Sequence, residues 1–324
     1  MRAVLCKAFG PPERLVVEEV PPLQPGAGEV VVRVKAAGVN FPDSLIIQNK
    51  YQIKAALPFS PGGEFAGVIR EVGEGVTRFS AGQSVIGFTG WGAFAEEIAV
   101  GQDRLVPMPD GMPYDIAGSF LMTYGTCYHA LSDRARLAPG ETVLVLGAAG
   151  GIGIAAVEIA KALGARVIAG ASSAEKLRTC LAHGADEAIE YQSEDLRVRL
   201  KALTGGRGVD VVVDPVGGRF SEPALRSVGW RGRFLVVGFA GGEIPKIALN
   251  LPLLKGCSIV GVFWGDFLRR EPANSQRDLQ TLVALYRAGR IKPLVSRHYP
   301  LEAAGDALQA LMSRNVQGKV VIVP

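Results

Sequence analysis

The segment with the clearest chemical potential is a glycine-rich turn that follows a short apolar run. Val143–Leu146 is typical of a buried strand, and Gly147–Gly153 follows it directly. Ile154, Val157 and Ile159 then have the spacing of a helix. Small residues let the backbone approach a pyrophosphate, and a helix N-terminus stabilises its charge. Packing alone can also require such a turn, but this strand–turn–helix order favours a dinucleotide site. Its predicted contacts are Ala149, Gly150, Gly151, Ile152 and Gly153.

The end of the next predicted strand bears on which dinucleotide binds. An NAD site places Asp or Glu about 20 residues beyond the glycines, where it binds the ribose hydroxyls. Here the strand ends in Gly170-Ala-Ser172-Ser173, and Lys176 follows one turn into a helix. Hydroxyls, a helix N-terminus and an ammonium suit a 2′-phosphate, so the sequence predicts NADPH rather than NADH. The alternative is that the serines only cap the helix and Lys176 is a surface lysine.

Two hydrophobic patterns divide the chain that must position these groups. The first third alternates strand-like runs with Gly and Pro, which predicts an all-β region, a partly open barrel. From about Asp115, helical spacing alternates with β-branched runs, which predicts a parallel sheet covered on both faces. The predicted strands of the first region are Arg2–Lys7, Leu15–Val20, Glu29–Ala37, Gly63–Val72, Ser84–Phe88 and Gly92–Val100. Those of the second are Thr142–Leu146, Arg166–Ala169, Val209–Val213, Phe234–Val237 and Ser258–Val262. Two amphipathic helices, Ser275–Ala288 and Ala303–Met312, and a strand, Lys319–Val323, are predicted to follow.

Composition excludes several classes of protein. The 324 residues are enough for about two domains. Lys and Arg total 35 against 31 for Asp and Glu, with no basic run, so nucleic acid is not an expected partner. The four cysteines are far apart and there are three histidines, which indicates neither a disulfide framework nor a Cys/His zinc site. Because no signal peptide or membrane-spanning run is recognisable, the expected location is the cytoplasm, with no membrane contact.

Motifs along nearly the whole length resemble one known family. They are Ala37–Asp43, Pro61–Gly67, Gly125–Thr126, Gly147–Gly153, Val209–Gly218, Val236–Gly242 and Gly261–Gly265. In these motifs the sequence resembles the zinc-free quinone oxidoreductases, the quinone oxidoreductase-like group of the medium-chain dehydrogenase/reductase superfamily. The resemblance implies an α/β fold: a Rossmann doubly wound parallel sheet plus a GroES-like β-barrel catalytic domain. The implied domains are residues 1–125 (GroES-like), 126–262 (Rossmann, binding NADPH) and 263–324 (a return segment completing the catalytic domain).

One departure from the zinc-dependent members of the superfamily bears on the chemistry. Asn40 stands where those enzymes have a metal-binding Cys, and Gly63 stands where they have a His. No metal site is therefore expected. Without a Lewis acid, an ordinary ketone is a poor hydride acceptor, so an acceptor that is already electrophilic is expected.

The resemblance implies roles for individual residues. Asn40, Tyr51 and Thr126 match residues that border the nicotinamide or substrate, and are the candidates for positioning the substrate and stabilising its oxyanion. Their alternatives are a loop cap, a surface aromatic and a hydroxyl bonded to backbone. For Phe239 and Phe263 the alternative is core packing, and for Arg314 a helix C-terminal cation. The cofactor contacts implied by the family are Phe41, Ser172, Lys176, Tyr191, Val216, Phe239, Ala240, Gly241, Phe263 and Arg314.

Three functions remain open on this basis. The first is an NADPH:quinone reductase, and the second is an NADPH-dependent enone, alkenal or enoyl-thioester reductase, which needs the same metal-free site. The third is an NADPH-binding sensor or adaptor with little turnover. Family members commonly form homodimers by pairing the last Rossmann strand, here Ser258–Val262, so a homodimer is expected.

Overall fold

The computed structural model describes residues 1–324. Its internal contacts divide the chain into two compact units, Met1–Met122 with Leu294–Pro324, and Thr123–Pro293. No helix combines the length and apolar character needed to cross a bilayer.

The secondary structure follows the two hydrophobic patterns of the sequence. The amino-terminal part forms β1 (Arg2–Leu5), β2 (Val16–Glu19), β3 (Glu29–Gly38), α1 (Phe41–Ile46), β4 (Glu64–Val72), β5 (Ser84–Phe88), β6 (Glu97–Gly101), β7 (Leu105–Pro107), α2 (Tyr114–Ala117) and α3 (Leu121–Tyr128). The middle forms β8 (Thr142–Leu146), α4 (Gly151–Ala162), β9 (Arg166–Ala171), α5 (Ala174–Ala182), β10 (Glu187–Glu190), α6 (Leu196–Leu203), β11 (Val209–Asp214), α7 (Ser221–Arg226), β12 (Val228–Val236), α8 (Asn250–Lys255), β13 (Ser258–Gly261), α9 (Trp264–Arg270) and α10 (Pro272–Arg287). The chain ends with β14 (Val295–Pro300), α11 (Ala304–Met312) and β15 (Lys319–Val323).

The first unit is built on a seven-stranded mixed sheet. Its order is β14-β15-β3-β4-β5-β7, and β6 also pairs with β3. Arg33 and Lys35 are the exposed residues of β3, and they alternate with buried neighbours over Val32–Ala36; the rest of the strand is buried except for the half-buried Glu29. β15 pairs antiparallel with β3, Ile322 opposite Ala37. The two ends of the chain therefore meet in one sheet.

The second unit is built on a six-stranded sheet whose strands are all parallel. Its order is β10-β9-β8-β11-β12-β13, and helices follow the strands along the chain. Numbered within the unit, this is the order 3-2-1-4-5-6 of a doubly wound dinucleotide fold. The strand order reverses between β8 and β11, and ligands of such sheets bind beyond the carboxyl ends of the strands at that point.

The compact units break at other positions than the predicted domains do, and the domain assignment itself stays a prediction. The first break lies at 122/123 rather than 125/126, and the second at 293/294 rather than 262/263. The physical reason is that residues after 262 pack within the second unit. The His129 ring stacks on Phe267 at 4.0 Å between centroids, and a Cβ on Gly125 would lie 2.7 Å from the Trp264 indole.

Candidate functional site

The glycine turn after β8 is constrained by close packing at its two ends. Gly147 has a φ of +59°, and a Cβ there would lie 2.8 Å from a methyl group of Val216. A Cβ on Gly153 would lie 2.3 Å from the Gly147 carbonyl oxygen. Gly147 requires glycine because its φ is in the left-handed region, and Gly153 requires it because a backbone oxygen cannot move aside as a flexible side chain does.

The middle of the turn is open instead. Gly150 precedes α4 with a φ of −78°, which any residue adopts, and the nearest atom to its Cβ position lies 3.5 Å away. The first N–H groups of a helix have no partner within it, so Gly151, Ile152 and Gly153 present donors at the positive end of α4. The absent side chain at Gly150 therefore leaves space for an anionic ligand rather than for the protein.

The loops after β11 and β12 are joined to each other beside this turn. The buried Asp214 carboxylate accepts hydrogen bonds from the N–H groups of Val216 and Gly217, both at 2.8 Å. The Gly241 N–H donates to the Val216 carbonyl at 2.6 Å, and the Ala240 N–H donates to the Pro215 carbonyl at 3.0 Å. The structure thus brings together, with Gly147, the predicted cofactor residues Val216, Phe239, Ala240 and Gly241. Asp214, which shapes the loop, was not among the predicted site residues, although it lies in a quoted motif.

Phe263 lies beyond the end of β13 in the same sheet. It precedes α9, and its side chain is 46% exposed. Core packing, the alternative for this residue, is therefore excluded.

The end of β9 has the predicted combination of hydroxyl and ammonium groups. The Ser173 hydroxyl caps α5 by accepting from the Lys176 N–H at 3.4 Å. The Lys176 ammonium donates to the Ser172 hydroxyl at 3.2 Å, and both side chains are partly exposed. The Tyr191 ring lies 4.3 Å from the Phe220 ring between centroids, and its N–H donates to the Ala171 carbonyl at 3.2 Å. Ser173 is thus the residue that caps α5. Ser172 does not cap the helix, and it lies beside Lys176 at the end of the strand.

Arg314 belongs to the first unit. It is an exposed residue that follows α11 with a φ of +58°. Its predicted contact with a 2′-phosphate stays a prediction.

Four buried polar residues of the first unit form one cluster around Asn40. The Asn40 amide nitrogen donates to Glu64 Oε1 at 2.8 Å and to the Gly38 carbonyl at 3.3 Å. The Lys319 ammonium donates to Asn40 Oδ1 at 2.5 Å and to Glu64 Oε1 at 3.0 Å. Asp43 accepts from the Asn40 backbone N–H at 2.7 Å.

These bonds bear on the predicted role of Asn40. An amide nitrogen has two hydrogens, and protein acceptors take both of them here. No hydrogen is left for a substrate oxyanion, so the arrangement gives Asn40 a positioning role. Sequence reasoning missed Glu64 and Lys319, the residues that fix the amide. A signal was present only for Glu64, an acidic residue within the apolar motif Pro61–Gly67.

Asp43 and Tyr51 have perturbed proton affinities. Burial raises the pKa of Asp43 to about 7, against the lowering effect of the Asn40 N–H bond and the Lys319 charge; the Glu64 charge raises it further. Burial also raises the pKa of the half-buried Tyr51 phenol, and the Asp43 charge adds to this. Tyr51 therefore keeps its proton and can donate a hydrogen bond at neutral pH.

Asp43 predicts a pH dependence of stability. Its folded pKa of about 7 exceeds the ordinary 3.8, so the folded state binds the proton more tightly and stability is lost as pH rises through that interval. We expect Asp43→Asn, which has no charge to bury, to unfold at higher urea concentration than the wild type at pH 8, and to keep less than half of that advantage at pH 5, which lies within the interval. Urea titrations at both values measure this. Parallel profiles for the two proteins would contradict it.

Thr126 lies in α3, within the second unit, and is 8% exposed. Its neighbour Cys127 donates a thiol hydrogen bond to the Ile152 carbonyl at 3.2 Å, and burial raises the pKa of that thiol far above its usual range. Cys127 thus links α3 to the glycine turn and is not a nucleophile. Whether Thr126 contacts a substrate stays a prediction.

The residues do not fit a zinc ion. No three His, Cys, Asp or Glu side chains are grouped to hold a metal. At position 40 an amide stands in place of a thiolate, at position 63 there is no side chain, and the Lys319 ammonium already contacts the oxygens of Asn40 and Glu64. Zinc prefers sulfur and nitrogen ligands, which this cluster lacks.

Comparisons with known proteins agree with this architecture. Residues 26–110 match the family model of the alcohol dehydrogenase GroES-like domain, and residues 151–285 match that of the zinc-binding dehydrogenases. Quinone oxidoreductase-like protein 2 of Rattus norvegicus is 38% identical over 322 residues, covering 99% of this chain and 91% of the relative. The structure of Escherichia coli quinone oxidoreductase complexed with NADPH has a TM-score of 0.93 at 30% identity and covers 100% of both chains. The structure of CurK enoyl reductase has a TM-score of 0.89 at 26% identity, covering 99% of this chain and 98% of that one.

These matches extend over both units. The parallel sheet is the Rossmann part and the mixed sheet is the GroES-like part of one α/β architecture. The chain therefore belongs to the quinone oxidoreductase-like family of the medium-chain dehydrogenase/reductase superfamily.

Proposed function

We propose that the protein is an NADPH-dependent quinone reductase that works without zinc and transfers a hydride to a small quinone. Two findings support the broader assignment, that the protein is an NADPH-dependent oxidoreductase. They are its membership of the family and its similarity to a quinone oxidoreductase solved with NADPH. The observation that carries the proposal is the carboxyl edge of the parallel sheet. An open glycine turn, a helix N-terminus and a hydroxyl–ammonium pair lie there at the ends of neighbouring strands.

The residues at this edge fit the parts of NADPH. The N–H groups of Gly151, Ile152 and Gly153 suit the pyrophosphate, and Ser172 with Lys176 suits the 2′-phosphate. When bound, the nicotinamide supplies a hydride from C4. The loops that carry Val216 and Phe239–Gly241 hold their shape through hydrogen bonds to each other, so they offer a preformed wall.

The side chains around Asn40 indicate which kind of substrate can accept the hydride. The cluster around Asn40 holds an ammonium rather than ligands for a Lewis acid, so the acceptor must already be electrophilic. A quinone meets this condition because its reduction product is a delocalised anion. We assign Tyr51 to donate a hydrogen bond to that anion, since its phenol keeps its proton. Thr126 is the substrate contact that we propose for the second unit.

The second candidate is a C=C reductase acting on an enone, an alkenal or an enoyl thioester. Such substrates are also electrophilic without a metal, and the similarity to CurK enoyl reductase favours this class. The third candidate is an NADPH-binding sensor or adaptor with little turnover. Such a protein would bind the nucleotide but reduce none of these substrates.

Parallel assays of NADPH oxidation at 340 nm separate these functions. The purified protein is given a small aromatic quinone, a 2-alkenal and a short enoyl-CoA, with NADH and a zinc chelator as controls. We expect rapid, chelator-insensitive turnover confined to the quinone. Preference for the alkenal or thioester would make the protein a C=C reductase, and binding of NADPH without turnover would leave the sensor or adaptor.

We also propose that the protein is a cytoplasmic homodimer. All four cysteines are free thiols, which fits a reducing compartment. β13 lies at one end of the parallel sheet, and exposed apolar side chains lie on it and on nearby elements, including Ile259, Trp230 and Leu253. An exposed strand edge flanked by apolar surface is stabilised by pairing with a second copy.

The dimer predicts a mass of twice 34.2 kDa in light scattering. Ile259→Lys places a charge on β13, and we expect it to yield monomers. The control Val198→Lys alters an exposed residue of α6 and should remain dimeric. A monomeric wild type would refute the proposal.

A further inference from the structure

The Lys319 ammonium is enclosed in a cage of oxygen atoms. It donates to the Val39 carbonyl at 2.9 Å, to Asn40 Oδ1 at 2.5 Å and to Glu64 Oε1 at 3.0 Å. An ammonium has three hydrogens, and each has an acceptor here. Its side chain is 6% exposed and that of Glu64 is 1% exposed. A carbonyl, an amide oxygen and a carboxylate are also the oxygen types that surround bound hard cations.

Stability alone does not explain this arrangement. Removing two charges from water costs free energy that their attraction often fails to recover, and apolar residues of similar size commonly replace such pairs without loss. A buried ion pair whose hydrogen bonds are all made, such as Lys319 with Glu64, instead holds the surrounding segments in one defined geometry.

The segments that the pair connects are those of the candidate site. Val39 and Asn40 directly precede Phe41, a predicted cofactor contact, and the Asn40 N–H in turn holds Asp43 at the start of α1. The second oxygen of Glu64 accepts from the Met122 N–H at 2.9 Å, in the first turn of α3. One ammonium on the last strand therefore holds the turn between β3 and α1, and its partner Glu64 holds the backbone at Met122.

We infer that Lys319 is a built-in cation that acts as a positioning residue: it holds the Val39–Asp43 turn in the single arrangement that the reduction requires. This inference rests on the proposed function for its effect on turnover.

Two variants separate positioning from charge neutralisation. Lys319→Met alone leaves the Glu64 carboxylate buried without a partner and can fail to fold. The double variant Lys319→Met/Glu64→Gln removes both charges and avoids this. If Lys319 only neutralises Glu64, the double variant keeps the wild-type turn at residues 38–46. Only one of the bonds from Asn40 and Met122 is then lost, because an amide has one oxygen where the carboxylate has two. If it positions the turn, Asn40 Oδ1 still lacks its donor and the turn loosens. The control Ile69→Ala weakens β4, the strand that carries Glu64, at a buried apolar residue that pairs with Val32 and lies away from the cluster.

The first readout is hydrogen exchange of the cofactor-free proteins. In the double variant, we expect peptides covering residues 38–46 to exchange about 10-fold faster than in the wild type, with peptides of β5 unchanged. The control should not show this local effect. Wild-type exchange in residues 38–46 of the double variant would overturn the inference.

The second readout is turnover, measured below the unfolding temperature of each protein. We expect kcat of the double variant to fall about 100-fold while its Kd for NADPH changes less than about threefold, because the phosphate contacts lie in the second unit. The control should keep its kcat. An unchanged kcat in the double variant would overturn the inference. If the wild type reduces no acceptor, the proposed function fails, and the exchange data still decide whether Lys319 positions the turn.

Discussion

Gly150→Asp is expected to abolish NADPH binding while the protein stays folded. Gly150 has an extended conformation open to any residue, and no atom lies within 3.4 Å of its Cβ position. Asp is among the preferred residues immediately before a helix, and its charge interacts favourably with the positive end of α4. The same carboxylate would take the N–H groups proposed for the pyrophosphate and repel its charge. We expect Kd for NADPH to rise at least about 100-fold, or roughly 2.7 kcal/mol, with an unfolding temperature equal to or above that of the wild type.

Two matched variants show which property of Gly150 matters. Gly150→Asn has nearly the same size and capping ability without the charge, so its loss of affinity should be smaller than that of Gly150→Asp. Gly153→Ala should instead destabilise the fold, because its Cβ would meet the Gly147 carbonyl oxygen at 2.3 Å. Fluorescence titration with NADPH and thermal unfolding measure these effects. Wild-type affinity in Gly150→Asp would show that the helix N-terminus does not bind the cofactor.

Much of the nucleotide site was predictable because its determinants are local. The strand Thr142–Leu146 was predicted with the bounds it has, and Ile154, Val157 and Ile159, which have the spacing of a helix, lie in α4. The turn between them needs residues without side chains, a requirement that the sequence shows directly. The Ser172–Lys176 contact is also local, since the two residues are one helical turn apart.

The polar cluster of the first unit was not predictable in the same way. Lys319 and Glu64 are separated by 255 positions and meet only because β15 pairs with β3, which in turn pairs with β4. A lysine near a chain end has the pattern of a surface residue, and nothing local indicates that it is buried. The role of Asn40 changed for the same reason, because its hydrogen-bond partners are distant in sequence.

The second compact unit ends later in the chain than the predicted Rossmann domain for a related reason. The family resemblance implied that residues 263–324 return to the first domain, and the residue pattern could not test this, because a helix has the same periodicity whichever unit it packs on. Trp264 and Phe267 determine the outcome, because they pack on α3 and on the His129 ring that follows it.

The double variant Ser172→Asp/Lys176→Ala is expected to reverse the cofactor preference. The Ser172 hydroxyl and the Lys176 ammonium lie 3.2 Å apart at the end of β9, where an NAD site has an acidic residue. The variant removes the cation and places a carboxylate against the 2′-phosphate, while the same carboxylate can accept from the two ribose hydroxyls of NADH. A hydrogen bond to a charged group contributes about 1.5–3 kcal/mol, so losing two such contacts and adding repulsion should change the NADPH:NADH affinity ratio by about 10³-fold.

The comparison of the two nucleotides isolates the 2′-phosphate from the rest of the cofactor. Lys176→Ala alone should weaken NADPH binding about 10- to 100-fold and leave NADH binding nearly unchanged, because only NADPH carries the phosphate. Lys201→Ala removes an exposed cation from α6 in the same unit and should change neither affinity. Fluorescence titration with both nucleotides measures this without any turnover, so the result does not depend on the acceptor. Equal losses for NADPH and NADH in Lys176→Ala would mean that Lys176 supports the helix and that the preference for NADPH arises elsewhere.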